Sequence, residues 1–146
     1  MNTAQGSIGK SQVKQFMKTS VATIPDTMTV RQAIQLLVDK GISGAPVVDS
    51  SGLVLSVVSE FDLMQFAAKR LFDTKLHDLL DKMIPIKKLV SVRKEDDFVE
   101  LFKHFLIDRV RRILVLDQTG KLEGIVSRRD ILKNFLVYYE QNQAPK

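Results

Sequence analysis

A serine and an aspartate three residues apart close two short apolar runs: Ser59 and Asp62 in "SVVSEFD" (56–62), Ser127 and Asp130 in "GIVSRRD" (124–130). At that spacing the serine can cap a helix that starts just after it, and the aspartate falls in the first turn, where a carboxylate is favourable against the helix dipole. The pair can do more than cap. A helix start that opens onto a crevice offers N–H groups and positive potential to a phosphate, and a carboxylate can accept hydrogen bonds from two vicinal hydroxyls. Four arginines stand near the second pair, Arg111 and Arg112 in "DRVRR" and Arg128 and Arg129 in "SRRD". Guanidinium forks match phosphate oxygens in a bidentate way that lysine cannot, so these residue types point to a phosphorylated ligand.

Other chemistries lack their residues. With no cysteine there is no thiol nucleophile, disulfide framework or thiolate metal site. His77 and His104 stand alone in the sequence, outside any recognisable metal motif, so no metal site is expected. There is no Walker glycine loop, no Gly-x-Ser-x-Gly elbow and no histidine placed to serve either serine as a base, so the chain is not expected to be an enzyme. The net charge of +5 invites a nucleic-acid reading. The basic clusters are punctuated by acids, however, and no aromatic residues interleave with them for base stacking. No apolar run approaches the roughly 20 residues of a membrane span, and "MNTAQGSIGK" lacks the apolar core of a signal peptide, so a cytoplasmic protein is expected.

The elements that must position these residues are written twice. Asp49, Gly52, Val58, Ser59 and Asp62 recur as Asp117, Gly120, Val126, Ser127 and Asp130, each 68 residues on. At the same shift "TVRQAIQLLVDKGI" (29–42) falls on "DFVELFKHFLIDRV" (97–110), two amphipathic helices of one phase. Each copy starts with a short extended piece, "VATI" or "LVSV", and a polar turn whose Thr29, or Asp96 and Asp97, can cap the helix. Two apolar runs then follow, joined by "SSG" or "QTG" as a hairpin, and a second helix begins near Asp62 or Asp130. The expected class is mixed α/β of the α+β kind: two β-α-β-β-α repeats, at 12–70 and 76–139, with small sheets flanked by helices. Each repeat alone would be marginal at about 60 residues.

The doubled "VVD..G" pattern ending in hydrophobic-x-Ser-x-x-Asp resembles a tandem pair of CBS domains, the arrangement called a Bateman module, over about residues 12 to 138. The resemblance implies two three-stranded sheets with flanking helices about a pseudo-twofold axis. It also implies adenine nucleotide (AMP, ADP or ATP) as a regulatory ligand in clefts between the repeats, with no other cofactor required. By that resemblance Asp130 and Asp62 hold the ribose, and Ser127 and Ser59 contact ribose or phosphate. Gly124 would leave room for the nucleotide against the strand, where the first copy has Ser56. The adenine walls would come from Ser91, Val92, Arg112, Ile113 and Leu114 in the second copy, and from Thr23, Ile24, Gly44, Ala45 and Pro46 in the first. Aliphatic residues at these positions are also what a plain core requires. Arg111, Arg112, Arg128 and Arg129 would flank the phosphate. Glu60 stands where the second copy has Arg128, and a carboxylate beside a phosphate repels it, so the second site is expected to bind better.

Family members usually regulate an enzyme, channel or transporter and pair as disc-shaped dimers, which implies a homodimer and a regulated partner. Phe16, Phe135, Leu136, Tyr138 and Tyr139, near the two ends of the chain, are expected to add apolar surface for such contacts. Two other readings stay open on the sequence: a protein-interaction module without ligand, and a nucleic-acid-binding member of the same fold.

Overall fold

The computed structural model describes residues 10–85 and 88–143. The chain divides into two compact units, Ala22–Leu89 and a second that joins the described part of Met1–Val21 to that of Val90–Lys146.

In the first unit β1 (Ile24–Pro25) leads to α1 (Val30–Lys40), the hairpin strands β2 (Gly44–Val48) and β3 (Val54–Ser59), α2 (Glu60–Ala68), a 3-10 helix at Leu76–Lys82 and β4 (Ile84–Pro85). The sheet order is β1-β2-β3-β4, with β1 parallel to β2 and the other pairs antiparallel. The expected order of elements is therefore present, with one strand more than expected at the far edge. Helix α1 starts where Thr29 and Gln32 cap each other: the Gln32 N–H donates to Thr29 Oγ1 at 3.2 Å, and the Thr29 N–H to Gln32 Oε1 at 2.9 Å. It ends at Gly41, whose φ of 62° lets the chain turn left-handed without a Cβ penalty. Its buried stripe of Val30, Ala33 and Leu37 packs with Ile24, Val47 and Val58 of the sheet and with Leu76 and Leu79 of the 3-10 helix.

The second unit repeats the plan with β5 (Ser91–Val92), α3 (Phe98–Ile107), β6 (Arg112–Leu116), β7 (Leu122–Ser127) and α4 (Arg128–Gln141), in sheet order β5-β6-β7. A 3-10 helix at Val13–Gln15 belongs to it. Val13 and Phe16 lie in its core with Val92, Phe98, Leu101, Ile113, Val126 and Ile131. Just beyond, Lys18 bridges to Ile125 on the outer edge of β7, the position matching Val57, which pairs with Ile84 in the first unit. Each sheet thus receives an edge from the segment that precedes the first strand of the other copy. The start of α3 differs from expectation. Neither Asp96 nor Asp97 caps it through a side chain: Asp96 Oδ2 accepts from the Arg93 N–H, and the Phe98 N–H donates to the Ser11 carbonyl at 2.8 Å. Ser11 lies ahead of the first copy, out of reach of local spacing rules.

The two hairpins close alike. Asp49 Oδ1 accepts from Ser51 Oγ and the N–H groups of Ser51 and Leu53, and Asp117 Oδ1 from Thr119 Oγ1 and the N–H groups of Thr119 and Lys121. The side-chain hydroxyl of Ser51 or Thr119 is the main cause that holds each carboxyl below its ordinary value of 3.8. Gly52 and Gly120 take φ of 91° and 93°, which fixes glycine at both turns. The two histidines do not stand alone in space: His77 Nδ1 lies 2.9 Å from Asp26 Oδ2 and His104 Nδ1 2.7 Å from Asp108 Oδ2. Among the described residues no three side chains gather to hold a metal ion, and no helix is long and apolar enough to cross a membrane.

Candidate functional site

Ser127 ends β7 in an extended conformation, with φ of −110° and ψ of 165°, and α4 begins at the next residue. The Asp130 N–H donates to Ser127 Oγ at 3.3 Å, while the Ser127 N–H and Oγ–H both donate to Asp130 Oδ2, at 2.8 and 2.9 Å. Ser59 and Asp62 form the same box at the start of α2, again with φ of −110° and ψ of 165°. Capping is therefore real in both copies. It engages only one oxygen of each carboxylate. Asp130 is 5% exposed, and its Oδ1 faces Lys18 Nζ at 3.6 Å, the distance of an ion pair rather than a direct hydrogen bond.

Lys18 was not among the residues singled out in sequence. Its backbone is fixed on β7, with its N–H on the Ile125 carbonyl at 2.9 Å and its carbonyl accepting the Ile125 N–H at 3.0 Å. This crossing gives Gly124 a different reason from the expected one. A Cβ at 124 would stand 2.8 Å from the Lys18 carbonyl oxygen and 2.9 Å from Met17 Sδ, so the missing side chain makes room for the chain itself. In the first unit Ser56 occupies the matching place, fully buried, and its Oγ donates to the Ile84 carbonyl at 2.6 Å.

The strand register collects the arginines at one end of the sheet. Arg112 pairs with Ser127 across β6 and β7, and the Arg128 N–H donates to the Arg111 carbonyl at 3.2 Å. The backbones of Arg111, Arg112, Arg128 and Arg129 therefore meet beside the Ser127–Asp130 box. The Arg128 side chain turns back: its Nε donates to the Val110 carbonyl and its Nη2 to the Arg109 carbonyl, both at 3.1 Å. It secures the α3–β6 loop, where Arg109 sits at a φ of 55°. Arg111 and Arg129 are exposed and Arg112 half-buried.

The residues assigned to adenine walls fall into different settings. Val92 and Ile113 belong to the core of the second unit, as Ile24 and Ala45 do in the first. Leu114 and Pro46 are buried at the alternate strand positions. Ser91 is exposed and pairs with Leu114, about 7 Å along the strand from the Arg112 level. With Val92 it lines a polar pocket of about 390 Å³ that opens toward Asp117 and Thr119, at the hairpin end of the sheet rather than the Ser127 end. In the first unit Gly44 pairs with Ser59, and half-buried Thr23 precedes β1.

Comparison with known proteins places this geometry. The family model described as "CBS domain" matches residues 13–69 and again 77–137. The chain is 31% identical over 131 residues to a CBS domain-containing protein of Dictyostelium discoideum, covering 84% of this chain and 90% of that protein. It is 26% identical over 117 residues to 5'-AMP-activated protein kinase subunit gamma-3 of Sus scrofa, covering 77% of this chain and 23% of the subunit. Like several curated relatives, that subunit is much longer, and the chain spans only 23% to 36% of their length. Among solved structures it resembles CBSX2 of Arabidopsis thaliana in complex with AMP, with a TM-score of 0.72 and 27% identity over 87% of this chain and 97% of that one. With both copies matched by the model and both sheets strung in the same order, the chain belongs to the CBS domain family and carries two of its domains.

Proposed function

We propose that this chain is a regulatory module that binds an adenine nucleotide at the Ser127–Asp130 site and passes the signal on through contacts with a second copy or a regulated partner. The observation that carries the reading is the Asp130 carboxylate, nearly buried, fixed by Ser127 through Oδ2, while Oδ1 faces the ammonium of a largely exposed Lys18 at 3.6 Å, too long for a direct hydrogen bond and a place a ligand hydroxyl can take. The vicinal hydroxyls of a ribose are suitable donors to Oδ1, which the cap leaves unused. Arg111, Arg112 and Arg129 supply cation character for phosphate beside it. Relatives support the class of ligand, since CBSX2 was solved with AMP and the mammalian relative is named for activation of its kinase by 5'-AMP.

The Ser59–Asp62 site is proposed as the weaker one. Asp62 is less deeply buried than Asp130, and Glu60 adds a negative charge at the helix start. A thermal-shift series with adenosine, AMP, ADP, ATP and GTP tests the reading. An adenine nucleotide at 100 times its Kd should stabilise the fold by about 2.7 kcal/mol, a rise of roughly 5–10 °C in Tm. A flat response to every adenine compound at millimolar concentration would contradict it.

Pairing of two copies is proposed from the helix faces. Val38 on α1 and Met64 on α2 are exposed, and so are Leu106 on α3 and Leu132 on α4, the residues 68 positions on. In the first unit Val38 and Met64 border an apolar groove of about 360 Å³ with Ile34, Leu37, Leu63 and Ala67. Apolar helix faces repeated in both units suit closed twofold association. Light scattering at tens of micromolar should give twice the chain mass of 16.5 kDa, and a value of one chain mass would end the proposal.

A further inference from the structure

We infer that Lys18 is a resident counter-ion of the second site: it pairs with Asp130, and when ribose hydroxyls take the carboxylate it moves to the ligand's phosphate. The inference rests on the nucleotide reading of the site and adds the residue that separates phosphorylated from unphosphorylated ligands. Three observations carry it.

The first is the pairing itself, Lys18 Nζ to Asp130 Oδ1 at 3.6 Å, on the oxygen that Ser127 does not engage. A ligand hydroxyl that binds this oxygen competes with the ammonium for the same lone pairs. The second is the contrast between backbone and side chain. Two hydrogen bonds to Ile125 and the absence of a Cβ at Gly124 fix the Lys18 backbone against β7, while its side chain is 57% exposed. A flexible four-carbon stem on a fixed base can exchange one anion for another nearby without moving the chain. The third is an internal contrast. The residue held on Val57 as Lys18 is held on Ile125 is Ile84, so the Asp62 site has no lysine at this position. A general structural need for a cation beside the capping box would apply to both copies.

Arg128 is secured to the Arg109 and Val110 carbonyls, which leaves Lys18 as a phosphate partner that no arginine duplicates from the β7 edge. A displaced cation of this kind has opposite effects on two ligands. For adenosine it is only a competitor. For AMP it is a competitor that becomes a contact. Titration of the wild-type chain, Lys18→Met and Lys18→Arg with adenosine and with AMP reads both. Methionine keeps the apolar stem and leaves the backbone bonds to Ile125 in place.

In Lys18→Met, AMP should bind about 10-fold more weakly through loss of a charged contact, and adenosine about 2- to 5-fold more tightly because the ammonium that competes for Asp130 Oδ1 is gone. Lys18→Arg should keep the wild-type order. An unchanged ratio of AMP to adenosine affinity in Lys18→Met, with wild type binding AMP normally, overturns the role of Lys18 and leaves the nucleotide site standing. Equal weakening of both ligands also overturns it, as the mark of a merely structural residue. If the wild-type chain binds neither ligand, the nucleotide reading fails and this inference falls with it.

Discussion

Asp130→Asn is expected to weaken adenine-nucleotide binding by about 10- to 150-fold while the fold loses only about 1 kcal/mol. The two effects separate because the proposed site gives the carboxylate two jobs on two oxygens. The cap uses Oδ2, which accepts from the Ser127 N–H and Oγ–H, and an asparagine carbonyl can take over these bonds at about the cost of a weakened cap. In the proposed site the ligand uses Oδ1 and the charge. An amide presents one acceptor and one donor, so it cannot cap through oxygen and still accept from two hydroxyls. Loss of a charged acceptor is worth about 1.5 to 3 kcal/mol, which sets the fold-change. Calorimetric titration gives the affinity, and urea unfolding of the same preparation gives the stability. Asp62→Asn serves as the comparison and should change affinity far less. Equal losses at Asp62 and Asp130 would contradict the asymmetry between the sites, and an unchanged affinity in Asp130→Asn would remove Asp130 from the site.

Phe16→Ala should destabilise the protein by about 3–5 kcal/mol, although the residue lies ahead of the first strand. Phe16 is buried against Phe98, with ring centroids 4.9 Å apart, and Phe98 in turn meets Phe102 at 5.4 Å and the edge of Phe135 at 5.9 Å. Truncating a buried phenylalanine removes its transfer free energy and leaves a cavity that rings held on α3 and α4 close only in part. A domain is stable by only about 5–15 kcal/mol, so this single change is a large share. Nucleotide affinity should fall as well, because Lys18 and the chain crossing at Gly124 follow two residues later. Denaturant unfolding measures the loss. A change below about 1 kcal/mol would show that the 13–18 segment does not complete the core of the second unit.

The repeat, the order of elements and both capping boxes could be read from the sequence because they rest on local spacing. Ser59 with Asp62 and Ser127 with Asp130 close within three residues, and the hairpins at Asp49 and Asp117 close within four. What could not be read depends on partners distant in sequence. Strand β4 is two residues long, too short for any period to mark it, and exists because Val57 and Ser56 offer an edge. The expectation that Phe16 and Phe135 would add apolar surface is corrected for the same reason. Phe16 is core and Phe135 packs partly buried on the same cluster, while Leu136 and Tyr139 are exposed.

Side-chain direction was also hidden. Arg128 and Arg129 read alike in "SRRD", yet the Arg128 fork donates to two loop carbonyls. Gly124 matched a family pattern for one reason and is required by a backbone crossing for another. Lys18 carried no signal beyond its place after "VKQFM", since the pairing with Asp130 joins residues more than a hundred positions apart.

A crystal structure of the chain grown with AMP tests the central claim most directly. The account predicts ribose hydroxyls on Asp130 Oδ1, Ser127 still capping through Oδ2, the Lys18 ammonium turned from the carboxylate to the phosphate, and Arg128 unmoved on its loop carbonyls. AMP bound without contact to Asp130, or a Ser127–Asp130 site without nucleotide at saturating AMP, would contradict it.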